Sequence, residues 1–155
     1  MRSFLGLFTA AFLACAIFGC GSAAHEPKDF RGLKWGEKTS AVSGLHQVAG
    51  SGDLALYEKS GEVLKMGDIE LDRVIYAFYK DSFYMGMAYF SSEGFMKMEA
   101  VLTEKLGKPS EVDNNPDNLI WDSDNVSVLL TPAGPGQTRL VYMYKPTQLK
   151  VELKK

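Results

Sequence analysis

The stretch that decides the fold is IELDRVIYAFYKDSFYMGMAYF, Ile69 to Phe90. β-Branched and aromatic residues fill both halves, and the short polar break Lys80-Asp81-Ser82 reverses the chain between them, so the segment predicts a β-hairpin. In its first half Ile69, Leu71, Ile75 and Ala77 alternate with Glu70, Asp72 and Tyr76, the period-two pattern of a strand with one solvated side. From Val74 onward both sides turn apolar, which predicts a centre covered on both faces or only partly solvated. The 16 residues from Ile75 to Phe90 hold seven aromatics, together with Met85 and Met87. One sheet face suffices for a core, so a surplus on the other would form a groove for a lipid, a peptide or a partner strand.

Downstream, EGFMKMEAVLTEKLG places Phe95, Met98, Leu102 and Leu106 at three- and four-residue steps, one face of an amphipathic helix. Ser92 is positioned to cap it, Gly107 to terminate it, and Pro109 to prevent continuation. The loop VDNNPDN then leads to LIW, a turn at Ser123 to Asn125, the strand VSVLLT, a wide turn PAGPGQ and a last strand RLVYMYK. The tail LKVELKK reads as a further short strand or helix, without clear punctuation. Upstream, FRGLKWG between Phe30 and Gly36 predicts a short extended segment. Thr39 or Ser40 is placed to cap a short helix that His46 closes, with Ala41, Val42 and Leu45 on its buried side. AGSGD, Ala49 to Asp53, reads as a flexible break before the short strand LALYEK. This order predicts an α+β domain: a single, mostly antiparallel sheet of about five or six strands with one long and one short helix packed on it.

The first 19 residues, MRSFLGLFTAAFLACAIFG, carry one charge, Arg2, ahead of an apolar run, and precede Cys20. That is the layout of an export signal, too short and abruptly ended for a secure membrane span. Ile17, Phe18, Gly19 and Cys20 resemble the lipidation signal of bacterial lipoproteins. The resemblance implies cleavage before Cys20, a diacylglycerol thioether on its sulfur and an acylated amine. Since Gly21 and Ser22 follow, with no retaining aspartate, it also implies the periplasmic face of the outer membrane. The expected organisation is a signal peptide over 1–19, a lipid anchor and tether over 20–28, and one α+β domain over 29–155. The tether, GSAAHEPK, has nothing to pack.

A second resemblance rests on FRGLKWG and on Gly67 to Lys80, which reads G-D-x-x-x-D-x-V-x-x-x-F-Y-K. Together with the aromatic strand that follows, these look like a group of small exported deltaproteobacterial proteins. It would cover about residues 29 to 146 and implies no activity.

Composition excludes several chemistries. Cys15 leaves with the leader and Cys20 is the anchor, so the domain has no disulfide, thiol catalysis, thiolate zinc site or iron–sulfur cluster. Of 17 Lys and Arg, Arg2 also leaves, and the remainder against 19 Asp and Glu gives an acidic domain unsuited to nucleic acid. His25 and His46 are too few and too far apart for a zinc pair, and no serine has the Gly-x-Ser-x-Gly setting of a hydrolase nucleophile. Asp113, Asn115, Asp117 and Asp124 fall at calcium-loop spacing, but Pro116 and Asn118 occupy its middle and a strand follows it, so the segment reads as a turn. No cofactor or metal is expected.

What remains is a membrane-anchored binding or assembly module of the cell envelope, more plausibly than an enzyme. Its partner would be an envelope protein or an apolar ligand. Trp35, Tyr76, Phe78, Tyr84, Tyr89 and Trp121 are the candidate binding residues, because Trp and Tyr dominate interface hot spots. The alternatives are a small-ligand carrier and a carboxylate-dependent hydrolase of envelope polymers, for which Glu70 with Asp72 and Asp122 with Asp124 supply carboxylates on one strand face.

Overall fold

A computed structural model describes residues 25–112 and 117–153; the leader, Cys20 and the calcium-spaced Asp113 and Asn115 lie outside them. In chain order the strands are β1 (Asp29–Phe30), β2 (Leu33–Lys34), β3 (Leu45–Ser51), β4 (Leu54–Lys59), β5 (Lys65–Met66), β6 (Ile69–Glu70), β7 (Arg73–Tyr79) and β8 (Ser82–Ser91). Helix α1 (Phe95–Leu106) follows, then β9 (Glu111–Val112), β10 (Leu119–Asp122), β11 (Val126–Gly134), β12 (Gln137–Tyr144) and helix α2 (Lys145–Glu152). Eight strands form one sheet in the order β3-β4-β7-β8-β12-β11-β10-β9, antiparallel throughout. The α+β class and the dominance of one antiparallel sheet therefore hold, with more strands than expected.

The additional strands come from segments whose side chains gave no β signal. Residues 39–46 do not form the expected helix: only Thr39–Ala41 makes a 3-10 turn, and Leu45 begins β3. Instead of a flexible break, Ala49, Gly50 and Ser51 pair with Leu56, Ala55 and Leu54. Gly50 makes this possible, since at φ +143° a side chain would overlap the Leu54 carbonyl. The PAGPGQ segment is mostly strand as well: β11 runs to Gly134 with a bulge after Pro132, and β12 starts at Gln137.

The β7–β8 hairpin sits at the centre and contains a bulge. Ala77 opposes Met85 and Phe78 opposes Phe83, so Tyr84 is the extra residue. The bulge sends Phe83 to one face, with Val74, Tyr76, Phe78, Ala88 and Phe90, and Tyr84 to the other, with Ala77 and Tyr79.

The first face carries the main core. Helix α1 buries Met98, Leu102 and Leu106 against it. Its start differs in detail from expectation: the Ser91 hydroxyl, not that of Ser92, accepts the Glu93 N–H at 3.3 Å, and a 3-10 turn over Ser92–Gly94 precedes the helix. Its end is as expected, with Gly107 at φ +86°. Trp121 ties that end to the sheet, its indole N–H donating to the Gly107 carbonyl at 2.7 Å.

The N-terminal segment covers the rest of the first face. Phe30 lies over Gly86, between Tyr76 and Tyr142, and a side chain at Gly86 would overlap the Phe30 ring. Trp35 stacks on Phe83 at 5.3 Å and on Tyr144 at 6.0 Å, and its N–H donates to the Pro27 carbonyl at 2.8 Å. Arg31, at φ 54°, donates to Glu62 and to the carbonyls of Val63 and Lys65, while the Tyr76 hydroxyl also donates to Glu62. This knot clamps the β1–β2 turn to the loop before β5. The stretch read as a packing-free tether is held as far back as Glu26, whose carboxylate accepts the Asn125 backbone N–H at 2.8 Å and its side-chain amide at 3.1 Å.

Two outcomes follow from this packing. Gly86→Ala should lower stability by about 2 kcal/mol, the usual cost of overpacking, measured as the urea midpoint shift. Burial, first of all, raises the Tyr76, Tyr84 and Tyr142 hydroxyls above the ordinary value of 10.0, Tyr142 to about 12. A raised folded value stabilises below the unfolded value and is lost as pH rises through the folded one. These tyrosines should therefore ionise together with unfolding, above pH 10.0, in a titration followed by tyrosinate absorbance.

Candidate functional site

The two faces of the sheet are covered unequally. On the second face, α2 lies over one end, where Val151 packs with Ala77, Tyr79 and Tyr84, joined by Leu54, Leu56 and Met85. The alternation of β8, β12, β11 and β10 places Met87, Val141, Leu129 and Ile120 side by side on the rest of this face, all half-buried, with Ile75 buried beside Met87. Among the described residues, the apolar cluster that Val151 of α2 joins does not include Met87, Val141, Leu129 or Ile120.

Its rim is cationic and aromatic. Tyr89 stands directly opposite Arg73 on one neighbouring strand and Arg139 on the other. Arg73 donates to Glu58. Arg139 differs, because its Nε is buried with no hydrogen-bond partner among the described residues. A buried donor left unmade is costly. The strip itself can take an apolar surface.

Glu58 also links this rim to the sheet edge. His46, which stands in strand β3 rather than at a helix end, faces Glu58 across the β3–β4 pair with Nε2 3.6 Å from its carboxylate. Its Nδ1 lies 3.3 Å from the Ser60 hydroxyl. Serine, histidine and carboxylate are therefore in line, but Arg73 claims the carboxylate and the His46 side chain is half exposed. The hydroxyl is thus not set in a water-excluded site of the kind nucleophilic catalysis uses.

The candidate aromatics separate into two groups. Tyr76, Phe78, Tyr84 and Trp121 are 3%, 1%, 2% and 2% exposed, so they belong to the core and not to a binding surface. Eight strands need more packing than five or six, and these rings supply it. Trp35 is half-buried within the Phe83–Tyr144 stack. Only Tyr89 lies on the open strip. The sequence places Met87 in the apolar surplus but does not single out Arg73, Leu129, Arg139 or Val141, although the two-residue alternation that reveals the hairpin runs through VSVLLT and RLVYMYK as well.

The carboxylates offered for hydrolysis are not paired in a cleft. Asp122 is bound to Lys145 at 3.0 Å, and Glu70 and Asp72 are exposed. Glu26 and Asp81 sit below their ordinary range, held there chiefly by hydrogen bonds from the Asn125 backbone and the Thr39 hydroxyl, the opposite of what a general acid requires. No group of three or more His, Cys, Asp or Glu able to hold a metal occurs among the described residues. Compared with known proteins, the chain matches no family model, no curated protein and no solved structure.

Proposed function

We propose that the chain is a lipid-anchored protein of the bacterial cell envelope that works by binding, and that it meets its partner with the uncovered strip of its second sheet face. The observation that carries this reading is the strip itself: Met87, Leu129 and Val141 half-buried side by side, with Tyr89 opposite both Arg73 and Arg139, whose Nε has no hydrogen-bond partner among the described residues. Methionine-rich apolar surface adapts to varied partners, and aromatic and arginine side chains supply the anchoring contacts of interfaces. The leader ending at Cys20 supports the location, on the periplasmic face of the outer membrane.

An apolar segment of an envelope protein suits the strip better than a small ligand. Small-ligand sites are concave and enclose most of their ligand, whereas this strip is a run of adjacent strands. The hydrolase reading retains only Ser60, His46 and Glu58 as material, and a serine-directed fluorophosphonate that left the chain unlabelled would remove it.

Two measurements test the proposal. Cys20→Ala should move the chain from the membrane fraction to the soluble periplasm; an unchanged distribution would refute the anchor. Leu129→Asp, in chains shown to be folded by their urea midpoint, should reduce cross-linked partner recovered from intact envelopes at least tenfold. Equal recovery from both chains would place the partner elsewhere.

A further inference from the structure

Helix α2 turns one side to the sheet and leaves an apolar side uncovered. Thr147 and Val151 face the core, whereas Leu149 is 59% exposed and Leu153, one turn on, 87% exposed. Pro146 lies on the same outward side, and a groove of about 560 Å³ runs along it between Met143, Leu149 and Glu152. Lys145 and Lys150 flank the leucines, and Lys154 and Lys155 follow in the sequence. Exposed leucines with lysines beside them are what a helix resting at a membrane–water interface presents, and here Asp124 and Glu152 border the same groove.

The place where the chain enters the domain says what covers this side. Glu26 is bonded to Asn125, and the Asn125 carbonyl accepts the backbone N–H of Lys145, the first residue of α2, at 2.8 Å. The Lys145 charge helps to hold Glu26 ionised. From Cys20 to Glu26 there are only six residue steps, a reach of at most about 20 Å. If Cys20 carries the lipid, the bilayer is therefore tethered within that distance of the start of α2.

We infer that the outward side of α2, Leu149 and Leu153 with Lys150 beside them, rests on the bilayer to which Cys20 is anchored. The inference depends on the reading of Cys20 as the anchor. It also orients the molecule: α2 lies on the second sheet face, so that face looks toward the lipid. The open strip then stands about one helix diameter, roughly 10 Å, above the headgroups. Its partner reaches it from along the membrane surface.

The test supplies the anchor chemically. Every buried core residue of the described chain lies between Phe30 and Thr147, so a chain beginning at Cys20 keeps the whole core, and Cys20 is its single thiol. That thiol is coupled to a maleimide lipid in vesicles of phosphatidylethanolamine and phosphatidylglycerol, with and without brominated acyl chains. In the Leu153→Trp chain, brominated lipid should quench emission at least twofold more than in the parent, whose Trp35 and Trp121 lie within the fold. Adding Leu149→Asp should abolish the difference without moving the urea midpoint. Quenching no greater than the parent's would overturn the inference, as would quenching that survives Leu149→Asp. A concentration-dependent dimer of the uncoupled chain, broken by Leu149→Asp, would assign the surface to a second copy and overturn it too. Because coupling does not depend on cellular lipidation, these outcomes are separate from the Cys20→Ala fractionation.

Discussion

An eight-stranded sheet has two faces to cover, and this domain brings a helix of 12 residues and one of eight. That shortage governs the rest of the structure. The longer helix and the N-terminal hairpin close the first face, where Phe30 occupies the space that Gly86 leaves empty. Each aromatic so buried is worth about 1.5–3 kcal/mol, so the first face provides most of the stabilisation. Among the described residues the second face receives α2, at one end. Its remainder is half-buried, with Met87, Leu129 and Val141 side by side and Tyr89 and two arginines at the rim.

The first face also explains why so much polar bonding converges near the N-terminus. A hairpin of two-residue strands cannot hold itself on a sheet, and Arg31 is placed in a left-handed conformation to reach Glu62 and two carbonyls. The Arg31 and Glu62 side chains are 14% and 11% exposed, so their pairing is shielded from water and from salt. Tyr76 completes the knot from beneath. The ion pair thereby positions Phe30 and Trp35, the two rings on which closure of this face depends.

The sequence disclosed the central hairpin and α1 because their periodicities are strong and their boundaries carry turn and cap residues. It did not disclose β3, where six of the seven residues are exposed: backbone pairing to β4 holds the strand, and side chains record nothing of that. Likewise, α2 has no side-chain cap, and its outward leucines blur the pattern that would have marked it. For the site, composition revealed an apolar surplus but not its distribution. The bulge at Tyr84 and the docking of Phe30 and Trp35 decide which rings are buried, and both depend on contacts between residues far apart in the chain. Tyr76, Phe78, Tyr84 and Trp121 were therefore assigned to a surface they do not reach.

The seam between β8 and β12 joins Ser91 to Gln137 and Met85 to Met143. The chain between them, including α1, is a loop that must close before the two halves of the sheet join, and such distant pairing slows folding. A chain is made from its N-terminus, so the β8 edge of the β7–β8 hairpin stays unpaired until the last hairpin arrives. For that interval the chain displays more apolar strand than the finished domain ever does. Until then the open β8 edge offers a template on which a foreign strand could pair, and loss of β12 would leave β3-β4-β7-β8 as a sheet with that edge permanently exposed.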